Sequence, residues 1–580
     1  MIDLDAGRIR RGGDALGVLD MLLDIGARSH ARAGALLLAL SLAVFLPGLV
    51  SLQPMDRDEP RFAQASKQML ETGDLVDIRF QAEARHKKPV GIYWAQAAAV
   101  AAGEAMGVAQ ARTTIALYRI PSLVGALAAV LLSYWAGLAV LTRRGALLAS
   151  ALFGTCLMLS AEAHLAKTDA LLAACTTAAM GGLARAWIWR GRRDLGHAAI
   201  LAFWVAMALG ILVKGPMVPL FVGLPALVLS WRDGSGRWLL ALRPALGLGI
   251  TLSVVAPWFL AIAWKSGGAF FGASVGQDML AKVGGAAEKH GAPPGTYLLV
   301  FFATFWPAAP FAALGLPRAL ANRRADAAAF LLAWIVPAWL LFEAVPTKLP
   351  HYLLPLVPAV AILAVAALVP AAALEPWQRG TPPGRLRQAL AAILVVLIPA
   401  GILAGLVGTA WHLDRVVPWA GLPLMTAACL VALLSALALM RETAERALIL
   451  AVAASVLLLP GVLGLTQPAI ASLKVSPRLA AIRDGLPCRP KVASLGYREP
   501  SLVFLIGTDL TMLNTGAEAR DFLNAGGCRL VFVEDRYGPE FEATKVQAKI
   551  VGQVIVGQVS GFNLNSGRRV DLSAYGVVPR

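Results

Sequence analysis

The sequence predicts an α-helical polytopic membrane protein with about 13 transmembrane helices, followed by a small C-terminal α/β domain. Three observations lead to this fold class. Of the 580 residues, 58% are hydrophobic and 15% are charged, and the mean hydropathy is +0.67. Apolar runs of about 20 residues, each long enough to cross a hydrocarbon core as a helix, recur along most of the chain. After Pro468 the composition changes to that of a water-soluble domain.

The charge of the chain narrows the class of protein further. A formal net charge of +17 is compatible with nucleic-acid binding. The arginines, however, cluster in short loops between apolar runs, which is the pattern that membrane topology produces. We therefore exclude a soluble fold, and we expect contact with membrane lipids and none with nucleic acid.

The first 32 residues precede the first apolar run and carry five arginines, Arg8, Arg10, Arg11, Arg28 and Arg32. They lack the short apolar region and the small-residue cleavage site of a signal peptide. We expect residues 1–32 to remain in the mature protein as a cytoplasmic segment.

Thirteen apolar runs are candidate spans. They cover residues 33–53, 117–141, 145–162, 169–187, 197–213, 216–231, 244–264, 296–317, 327–345, 351–373, 389–410, 418–440 and 447–466. A weaker stretch, Val90 to Gly107, carries Glu104 and is rich in alanine and glycine. It is either a fourteenth span or a helix that lies at the membrane interface.

The distribution of arginine decides between these alternatives. If residues 90–107 do not cross, the cytoplasmic segments together hold 21 Arg and no Lys, whereas the short outer loops hold one cation each. If they cross, every later arginine cluster lies outside, against the positive-inside rule. We therefore predict a cytoplasmic N-terminus, a membrane domain over residues 33–466, a long outer loop at 54–116 and an outer C-terminus.

The outer loop 54–116 contains a predicted helix that begins near Pro60 and ends at Gly73. Asp58 and Glu59 lie at its N-terminus, where the helix dipole favours carboxylates. We expect this helix to lie on the membrane surface. The side chains expected on its apolar side are Phe62, Met69 and Leu70, and those expected in water are Arg61, Lys67 and Glu71.

Residues 467–580 are predicted to form the α/β domain. The strands are expected at 491–495, 510–514 and 529–534, the helices at 500–506 and 517–524, and a β-rich end from residue 548. Cys488 and Cys528 lie in this domain. They are expected to pair only if the domain is outside the cytoplasm, because the cytoplasm keeps thiols reduced.

Ionisable residues cluster at the predicted outer edge of the membrane domain. The acids are Asp56, Asp58, Glu59 and Asp169, and the cations are Arg57, Arg61, Lys87, Lys88, Lys167, Lys214 and Lys348. Structural roles are open for several of them: a capped surface helix at Asp58, an N-cap at Asp169, and membrane-anchoring side chains at Lys214 and Lys348. Because they converge on one face of the membrane domain, a functional site is favoured over these structural roles. Cations suit a phosphate leaving group, and a carboxylate suits general-base catalysis or stabilisation of an oxocarbenium-like sugar.

Four motifs occur in order along the chain: Asp58-Glu59-Pro60-Arg61-Phe62-Ala63, Lys88-Pro89-Val90-Gly91-Ile92-Tyr93-Trp94, Lys214-Gly215 and Lys348-Leu349-Pro350-His351-Tyr352. In order and spacing they resemble the aminoarabinose transferase and protein O-mannosyltransferase superfamily of GT-C glycosyltransferases. The resemblance covers about residues 33 to 360 and implies a GT-C membrane domain. Thirteen spans with a C-terminal outer domain resemble the aminoarabinose branch in particular.

The resemblance implies roles for individual residues. Asp58 matches the catalytic aspartate of the first loop, and Asp169 matches an acidic residue of the second. We expect Asp58, Glu59 and Asp169 to be the catalytic residues. Arg61, Lys88, Lys214 and Lys348 match cations around the carrier phosphate, and Tyr352 matches an aromatic residue near it. His290 resembles a histidine that binds a divalent metal together with an acidic residue of the first loop. That acidic position is Lys87 here, and a protonated lysine cannot be a ligand.

The resulting hypothesis is an inner-membrane enzyme that takes a sugar from an undecaprenyl-type polyprenyl phosphate. The periplasmic acceptor is expected to be lipid A or lipopolysaccharide, and the transfer to invert the anomeric configuration. The alternatives are a protein O-mannosyltransferase-like enzyme and a transporter or flippase of lipid-linked sugars. Transporters place charge near the bilayer midplane and show paired repeats, whereas the charges here lie at one edge.

Overall fold

The computed structural model describes residues 15–55, 58–192, 194–274, 276, 291–441, 443–547 and 553–577. Asp56, Arg57 and His290, which were named from the sequence, lie outside the described residues. The helices up to the C-terminal domain are α1 (Ala15–Ala27), α2 (His30–Phe45), α3 (Glu59–Thr72), α4 (Gly91–Ala105), α5 (Ile115–Gly137), α6 (Arg143–Gly154), α7 (Leu157–Ala163), α8 (Asp169–Ile188), α9 (His197–Lys214), α10 (Met217–Asp233), α11 (Pro244–Lys265), α12 (Thr296–Thr304), α13 (Ala308–Ala321), α14 (Asp326–Ala344), α15 (Val357–Leu368), α16 (Arg385–Asp414), α17 (Leu422–Met440) and α18 (Ala444–Leu459). Short 3-10 helices lie at Arg237–Leu242 and Pro350–Leu356, and a two-stranded ribbon pairs β1 (Arg79–Phe80) with β2 (Glu83–Ala84).

Each of the thirteen predicted spans falls on helical structure. Nine helices of the described chain are long and apolar enough to cross a membrane, and the bent pair α6–α7 makes a tenth. Helices α2 and α13 are apolar but shorter. The polytopic helical fold is therefore confirmed, while the number thirteen remains a prediction.

The break between α6 and α7 bends that span by 61°. A break frees backbone groups, which must find new partners inside a membrane. Ser455 donates to the carbonyl oxygen of Thr155 at 2.5 Å, and the amide of Leu157 donates to the carbonyl oxygen of Trp306 at 3.0 Å. Neighbouring spans thus stabilise the bend, and α7 turns its last residues towards the edge where Asp169 begins α8.

Helix α3 has the predicted bounds, because the signals that set them are local. Pro60 occupies its first turn, and Gly73 ends it with a φ of 72°, a left-handed conformation that glycine adopts without a steric penalty. Its water-facing side differs from the prediction, because ten of its 14 residues are buried; its place relative to the membrane stays a prediction. Lys67, expected in water, is only 4% exposed.

The C-terminal domain is a five-stranded mixed sheet with helices. Its elements are α19 (Val475–Asp484), β3 (Lys491–Leu495), α20 (Pro500–Ile506), β4 (Thr511–Leu513), α21 (Gly516–Asn524), β5 (Arg529–Glu534), α22 (Gly538–Gln547), β6 (Gln553–Phe562) and β7 (Arg569–Val577). The strand order is β4-β3-β5-β7-β6. Strands β3, β4 and β5 are parallel, and β7 is antiparallel to both β5 and β6. The predicted strands and helices of this domain coincide with observed ones to within a residue, and Cys488 is bonded to Cys528.

Helix α3 is covered by the C-terminal domain. Lys67 Nζ donates to the carbonyl oxygen of Phe504 at 3.1 Å, and Gln64 donates to the Thr508 hydroxyl at 2.6 Å. Gln81, just beyond the helix, donates to the carbonyl oxygens of Thr508 and Leu510 at 3.1 and 2.9 Å. The burial of Lys67 lowers its pKa, since the charged form loses hydration. The surface that the sequence assigned to water is therefore an interdomain contact.

Candidate active site

Asp58 lies at the start of α3 but does not cap it. Its side chain makes no capping hydrogen bond and is 54% exposed, with Arg85 Nη2 4.0 Å from its Oδ1 atom. Partial burial disfavours the carboxylate, but the positive charges of Arg85, Lys167 and Arg61 outweigh it and lower the pKa of Asp58. Asp58 is thus an ionised carboxylate that does not cap the N-terminus of α3.

Arg85 approaches Asp58 from the turn that follows β2. Its guanidinium lies over the ring of Phe62, 5.3 Å from the centroid, and the same ring packs against Tyr93 at 5.4 Å. A guanidinium over an aromatic face is attracted by the ring quadrupole. Arg85 Nε is buried and has no hydrogen-bond partner among the described residues, so one donor of this cation is unused.

Glu59, adjacent to Asp58, is enclosed. It is 1% exposed and accepts four hydrogen bonds: from Arg119 Nε at 2.8 Å and Nη2 at 3.0 Å, and from the amides of Met55 at 2.7 Å and Ala166 at 2.9 Å. Arg119 is 0% exposed. It also donates to the carbonyl oxygens of Leu49, Leu52 and Gln53. Glu59 therefore ties the start of α3 to α5 and to the loop before α8, and it does not face the open site.

Five charged or titratable side chains form what we call the acid–base cluster: Glu162, Lys167, Asp169, Lys214 and His351. Lys167 Nζ donates to Glu162 Oε1 at 3.0 Å, and Lys214 Nζ donates to Asp169 Oδ1 at 2.5 Å. His351 lies between the two acids, with Nδ1 3.7 Å from Glu162 and Nε2 3.9 Å from Asp169. None of the five side chains is more than 16% exposed.

The cluster and Asp58 belong to one site. Glu162 ends α7, Asp169 begins α8, Lys214 ends α9, and His351 lies in the 3-10 helix that precedes α15, so all reach the same edge of the helix bundle. Burial disfavours the ammonium of Lys167, but Glu162, Asp169 and Asp58 outweigh it and raise its pKa. Glu162 Oε2 is buried and has no hydrogen-bond partner among the described residues. A buried carboxyl oxygen without a partner is unusual in proteins.

The structure brings Lys214 and Tyr352 together. Lys214 Nζ lies 5.5 Å from the centroid of the Tyr352 ring. Helix α4 approaches the end of α9 closely, because a Cβ on Gly91 would lie 2.8 Å from the carbonyl oxygen of Leu212. Only glycine permits this approach, and it brings the segment that carries Lys88 to the end of the helix that carries Lys214.

Lys348 contacts the C-terminal end of α14. Its ammonium donates to the carbonyl oxygens of Glu343 at 2.8 Å and Val345 at 2.6 Å, and it lies 5.9 Å from the centroid of the Tyr297 ring. Its side chain is 1% exposed. Carbonyl groups at the C-terminus of a helix attract cations. Lys348 therefore stabilises the end of α14, and its assignment to the carrier phosphate stays a prediction.

Arg61 and Lys88 are half-buried. Arg61 follows Asp58 by one helical turn and contributes to the lowered pKa of that carboxyl group. Lys88 lies in the turn before α4, on the side of the loop that Gly91 brings against α9. Both positions agree with the predicted cationic surroundings of Asp58.

The predicted metal ligand His290 is outside the described residues. Within the described part of the chain, no group of three or more His, Cys, Asp or Glu side chains is placed to hold a metal ion. Lys87 is exposed, and the neighbouring His86 is engaged with Asp77, its Nε2 lying 2.7 Å from Oδ1. The residues at this loop do not fit the metal that the resemblance implies.

Sequence reasoning missed four residues of the site: Arg85, Arg119, Glu162 and His351. Two of them carried a signal, because Arg119 and Glu162 are ionisable residues inside predicted spans, where charge is costly. His351 stood inside a quoted motif but received no role. Nothing local distinguishes Arg85 from the other cations of its loop.

Comparison with known proteins agrees with this fold. The family model of dolichyl-phosphate-mannose-protein mannosyltransferases matches residues 33–268. Undecaprenyl phosphate-α-4-amino-4-deoxy-L-arabinose arabinosyl transferases are 27% identical to the chain, over 338 residues in Erwinia tasmaniensis and 350 in Pseudomonas aeruginosa strain LESB58. These alignments cover 57% of this chain and 58% and 59% of the relatives, so the chain spans about three fifths of the length of the curated relatives it matches.

Two crystal structures of ArnT from Cupriavidus metallidurans superpose on nearly the whole chain. The structure bound to undecaprenyl phosphate gives a TM-score of 0.68 at 19% identity, and the apo structure 0.66 at 18%. Each comparison covers 97% of this chain and 98% of the other. The predicted fold, a GT-C membrane domain with a small C-terminal α/β domain, is confirmed. The resemblance to the aminoarabinose transferase and protein O-mannosyltransferase superfamily is confirmed as well.

Proposed function

We propose that the protein is a membrane glycosyltransferase that takes a sugar from an undecaprenyl-type polyprenyl phosphate. The acceptor is lipid A or lipopolysaccharide at the outer face of the bacterial inner membrane. The observation that carries the proposal is the half-exposed, ionised carboxylate of Asp58, which lies beside cations and beside the largely buried acid–base cluster. The similarity to arabinosyl transferases that use undecaprenyl phosphate supports the class of donor.

The reaction is a single displacement at the anomeric carbon. The acceptor oxygen forms a bond to that carbon while the bond from the carbon to the carrier phosphate oxygen breaks, so the configuration inverts. The polyprenyl phosphate leaves with the electron pair. Asp58 accepts the proton of a hydroxyl acceptor, or orients a phosphate acceptor that is already ionised.

The cations stabilise the phosphate as its charge develops. Arg61, Lys88 and Arg85 serve the leaving group. Lys214 supports them from beside Tyr352. Asp169 holds Lys214 in place, and Glu59 positions Asp58 through the start of α3. We therefore propose positioning roles for both acids in place of the catalytic roles expected from the sequence.

The orientation of the protein is part of the proposal. The 21 Arg and no Lys of the short segments on one side favour a cytoplasmic location for that side. The N-terminus then lies in the cytoplasm, and residues 467–580 and the site lie in the periplasm. The bond between Cys488 and Cys528 supports this location, because disulfides persist in oxidising compartments.

Protein O-mannosylation is the second candidate, and the mannosyltransferase family match over residues 33–268 favours it. The acceptor decides between the two. Purified protein is given carrier-linked aminoarabinose or hexose, with lipid A or a hydroxyl-bearing peptide as acceptor. Transfer to lipid A supports the proposal, and transfer to peptide alone supports the second candidate. Turnover in detergent, where no compartment exists, excludes a pure transporter.

Asp58→Asn tests the catalytic assignment, with Asp74→Asn as its control. Both changes remove one carboxylate from the same outer loop, but Asp74 is paired with Lys265, 2.5 Å from its Oδ2 atom. Loss of a catalytic base costs about 10² to 10⁴ in rate. We expect a fall of that size for Asp58→Asn and transfer close to wild type for Asp74→Asn. Wild-type transfer by Asp58→Asn would refute the role of Asp58.

A further inference from the structure

A basic cavity lies at the end of the bundle opposite to the candidate active site. Helix α8 begins with Asp169 in the site and ends with Ile188, about 30 Å away for a helix of 20 residues. A cavity of about 530 Å³ is present at this far end, a size typical of small-ligand sites. Its charged lining residues are Arg185, Arg190, Arg192, Arg237 and Asp194.

Arg185 is the buried cation of this cavity. It is 6% exposed, donates to the carbonyl oxygens of Gly181 at 2.8 Å and Trp135 at 2.6 Å, and lies 4.0 Å from the centroid of the Trp135 ring. Within the described part of the chain, no carboxylate lies at ion-pair distance from its guanidinium. A buried charge without a counter-ion is costly, and a bound anion would offset that cost.

The other arginines differ in how far they are neutralised. Arg190 forms ion pairs with Asp233 and Asp326, at 3.4 and 3.0 Å. Its charge is therefore neutralised, and we assign it a structural role in the lining of the cavity. Arg192 lies 3.6 Å from Glu375, but both side chains are more than 60% exposed, and such pairs contribute little. Arg237 is exposed, and no carboxylate of the described residues pairs with it. Arg185, Arg192 and Arg237 therefore outnumber Asp194, which is the one carboxylate among the described lining residues of this cavity.

The surroundings of the cavity suit a lipid. Arg237 and Trp238 line it from the 3-10 helix Arg237–Leu242, and Trp238 makes an edge contact with Trp187 at 5.3 Å. On the same segment Leu240 is 65% exposed, and the nearby Leu246 is 50% exposed. Cations on one side and exposed apolar side chains on the other are typical of a segment at the membrane interface.

We propose that this cavity binds the phosphate head group of an anionic phospholipid. Arg185, Arg192 and Arg237 hold the phosphate, and the acyl chains lie along Leu240 and Leu246. Basic pockets between membrane helices recognise anionic head groups in this way. The site is separate from the proposed transfer chemistry, because the two lie at opposite ends of α8. A soluble phosphate compound offers the same chemistry, so the experiment must separate the two sources.

The test compares Arg192→Gln/Arg237→Gln with Arg385→Gln/Arg387→Gln. Arg385 and Arg387 are exposed at the start of α16, at the same end of the bundle, so both double variants lose the same charge. The full-length protein is placed in phosphatidylcholine nanodiscs, and retention of added phosphatidylglycerol is measured by native mass spectrometry. Each cation near an anionic lipid is worth roughly a factor of five. We expect affinity to fall about 25-fold in the cavity variant and less than about two-fold in the control.

Three results would overturn the proposal. The first is no preference of the wild-type protein for phosphatidylglycerol over phosphatidylcholine. The second is an equal loss of affinity in both double variants, which would indicate general attraction to the membrane. The third is displacement of phosphatidylglycerol by inorganic phosphate at the same concentration, which would make the cavity a site for soluble phosphate compounds.

Discussion

Two regions of charge meet at consecutive residues, and they are opposite in character. Around Asp58 the carboxylate is half exposed and its cation is 4.0 Å away. Around Glu59 the carboxylate is 1% exposed and accepts four hydrogen bonds. Consecutive side chains of a helix point about 100° apart. Asp58 and Glu59 can therefore face different surroundings although they are adjacent in the chain. Glu59 is thus a fixed structural support, whereas Asp58 is an accessible carboxylate. Removing Glu59 or its partner should lower stability, and removing Asp58 should lower the rate of transfer.

The largest effect should come from the fixed support. Arg119→Met leaves Glu59 buried without its counter-ion, which typically costs about 3 to 5 kcal/mol. We expect the free energy of unfolding in detergent to fall by that amount, and transfer to fail as a consequence of lost structure.

The variant Glu59→Met/Arg119→Met sharpens this test. With both charges removed no ion remains unpaired, so the loss should be smaller than the sum of the two single losses. Recovery should be incomplete, because the amides of Met55 and Ala166 lose their acceptor. Additive losses would contradict the interpretation of Glu59 and Arg119 as one unit.

The next effect contrasts two lysines that the sequence treated alike. Lys214→Met removes the cation that pairs with Asp169 in the site, and losing one such donor costs about 10² to 10³ in rate. Lys348→Met removes hydrogen bonds at the end of α14, which should lower stability by about 1 kcal/mol and change the rate far less. Initial rates and thermal unfolding of both variants separate the roles. Equal rate losses would return Lys348 to the phosphate site.

A smaller effect concerns the contact between the domains. Gln81→Ala removes two hydrogen bonds to the segment 508–510, worth about 1 to 2 kcal/mol of docking free energy. Hydrogen exchange of residues 500–510 should accelerate, while Gln558→Ala, which removes an exposed bond to Ser573, should leave these residues unchanged. Unchanged exchange in Gln81→Ala would mean that the apolar contacts alone hold the domains together.

The smallest effect is on pH dependence. The pKa of Asp58 is below its ordinary value of 3.8, so Asp58 contributes stability above that value and loses it as the pH falls through the lowered pKa. The acid limb of transfer that Asp58 controls should therefore lie below pH 3.8. Arg85→Met removes a cation that lowers this pKa, so the limb should move to higher pH. An acid limb at the same pH in Arg85→Met would mean that Arg85 does not control the pKa of Asp58.

The sequence was sufficient wherever structure depends on local signals. Pro60 and Gly73 set the bounds of α3, and short apolar runs set the strands β3 and β5 of the C-terminal domain. Hydropathy located helices at all predicted spans. The position of Asp58, Asp169 and Lys214 at one edge followed from counting spans, because each crossing reverses the direction of the chain.

The remainder depended on partners far away in the chain. Lys67 is buried because Phe504 covers it, 437 residues later, and no periodicity reports such a contact. Glu59 could not be separated from Asp58 without Arg119, which comes from another span. Lys348 lies close to a helix end and begins a motif, so its residue type alone did not choose between a helix cap and a ligand.

Helix α3 connects Asp58 to the C-terminal domain, so a tilt of the helix where the domain contacts it would move Asp58. Asp58 precedes its first turn, and the C-terminal domain grips it at Gln64 and Lys67, about 9 to 14 Å along the axis. A tilt of about 5° at that grip would move the carboxylate by about 1 Å, a displacement that can cost about 100-fold in rate. In the proposed mechanism the C-terminal domain thus fixes the position of the Asp58 carboxylate, and the stiffness of the contact sets how precisely this base meets the acceptor.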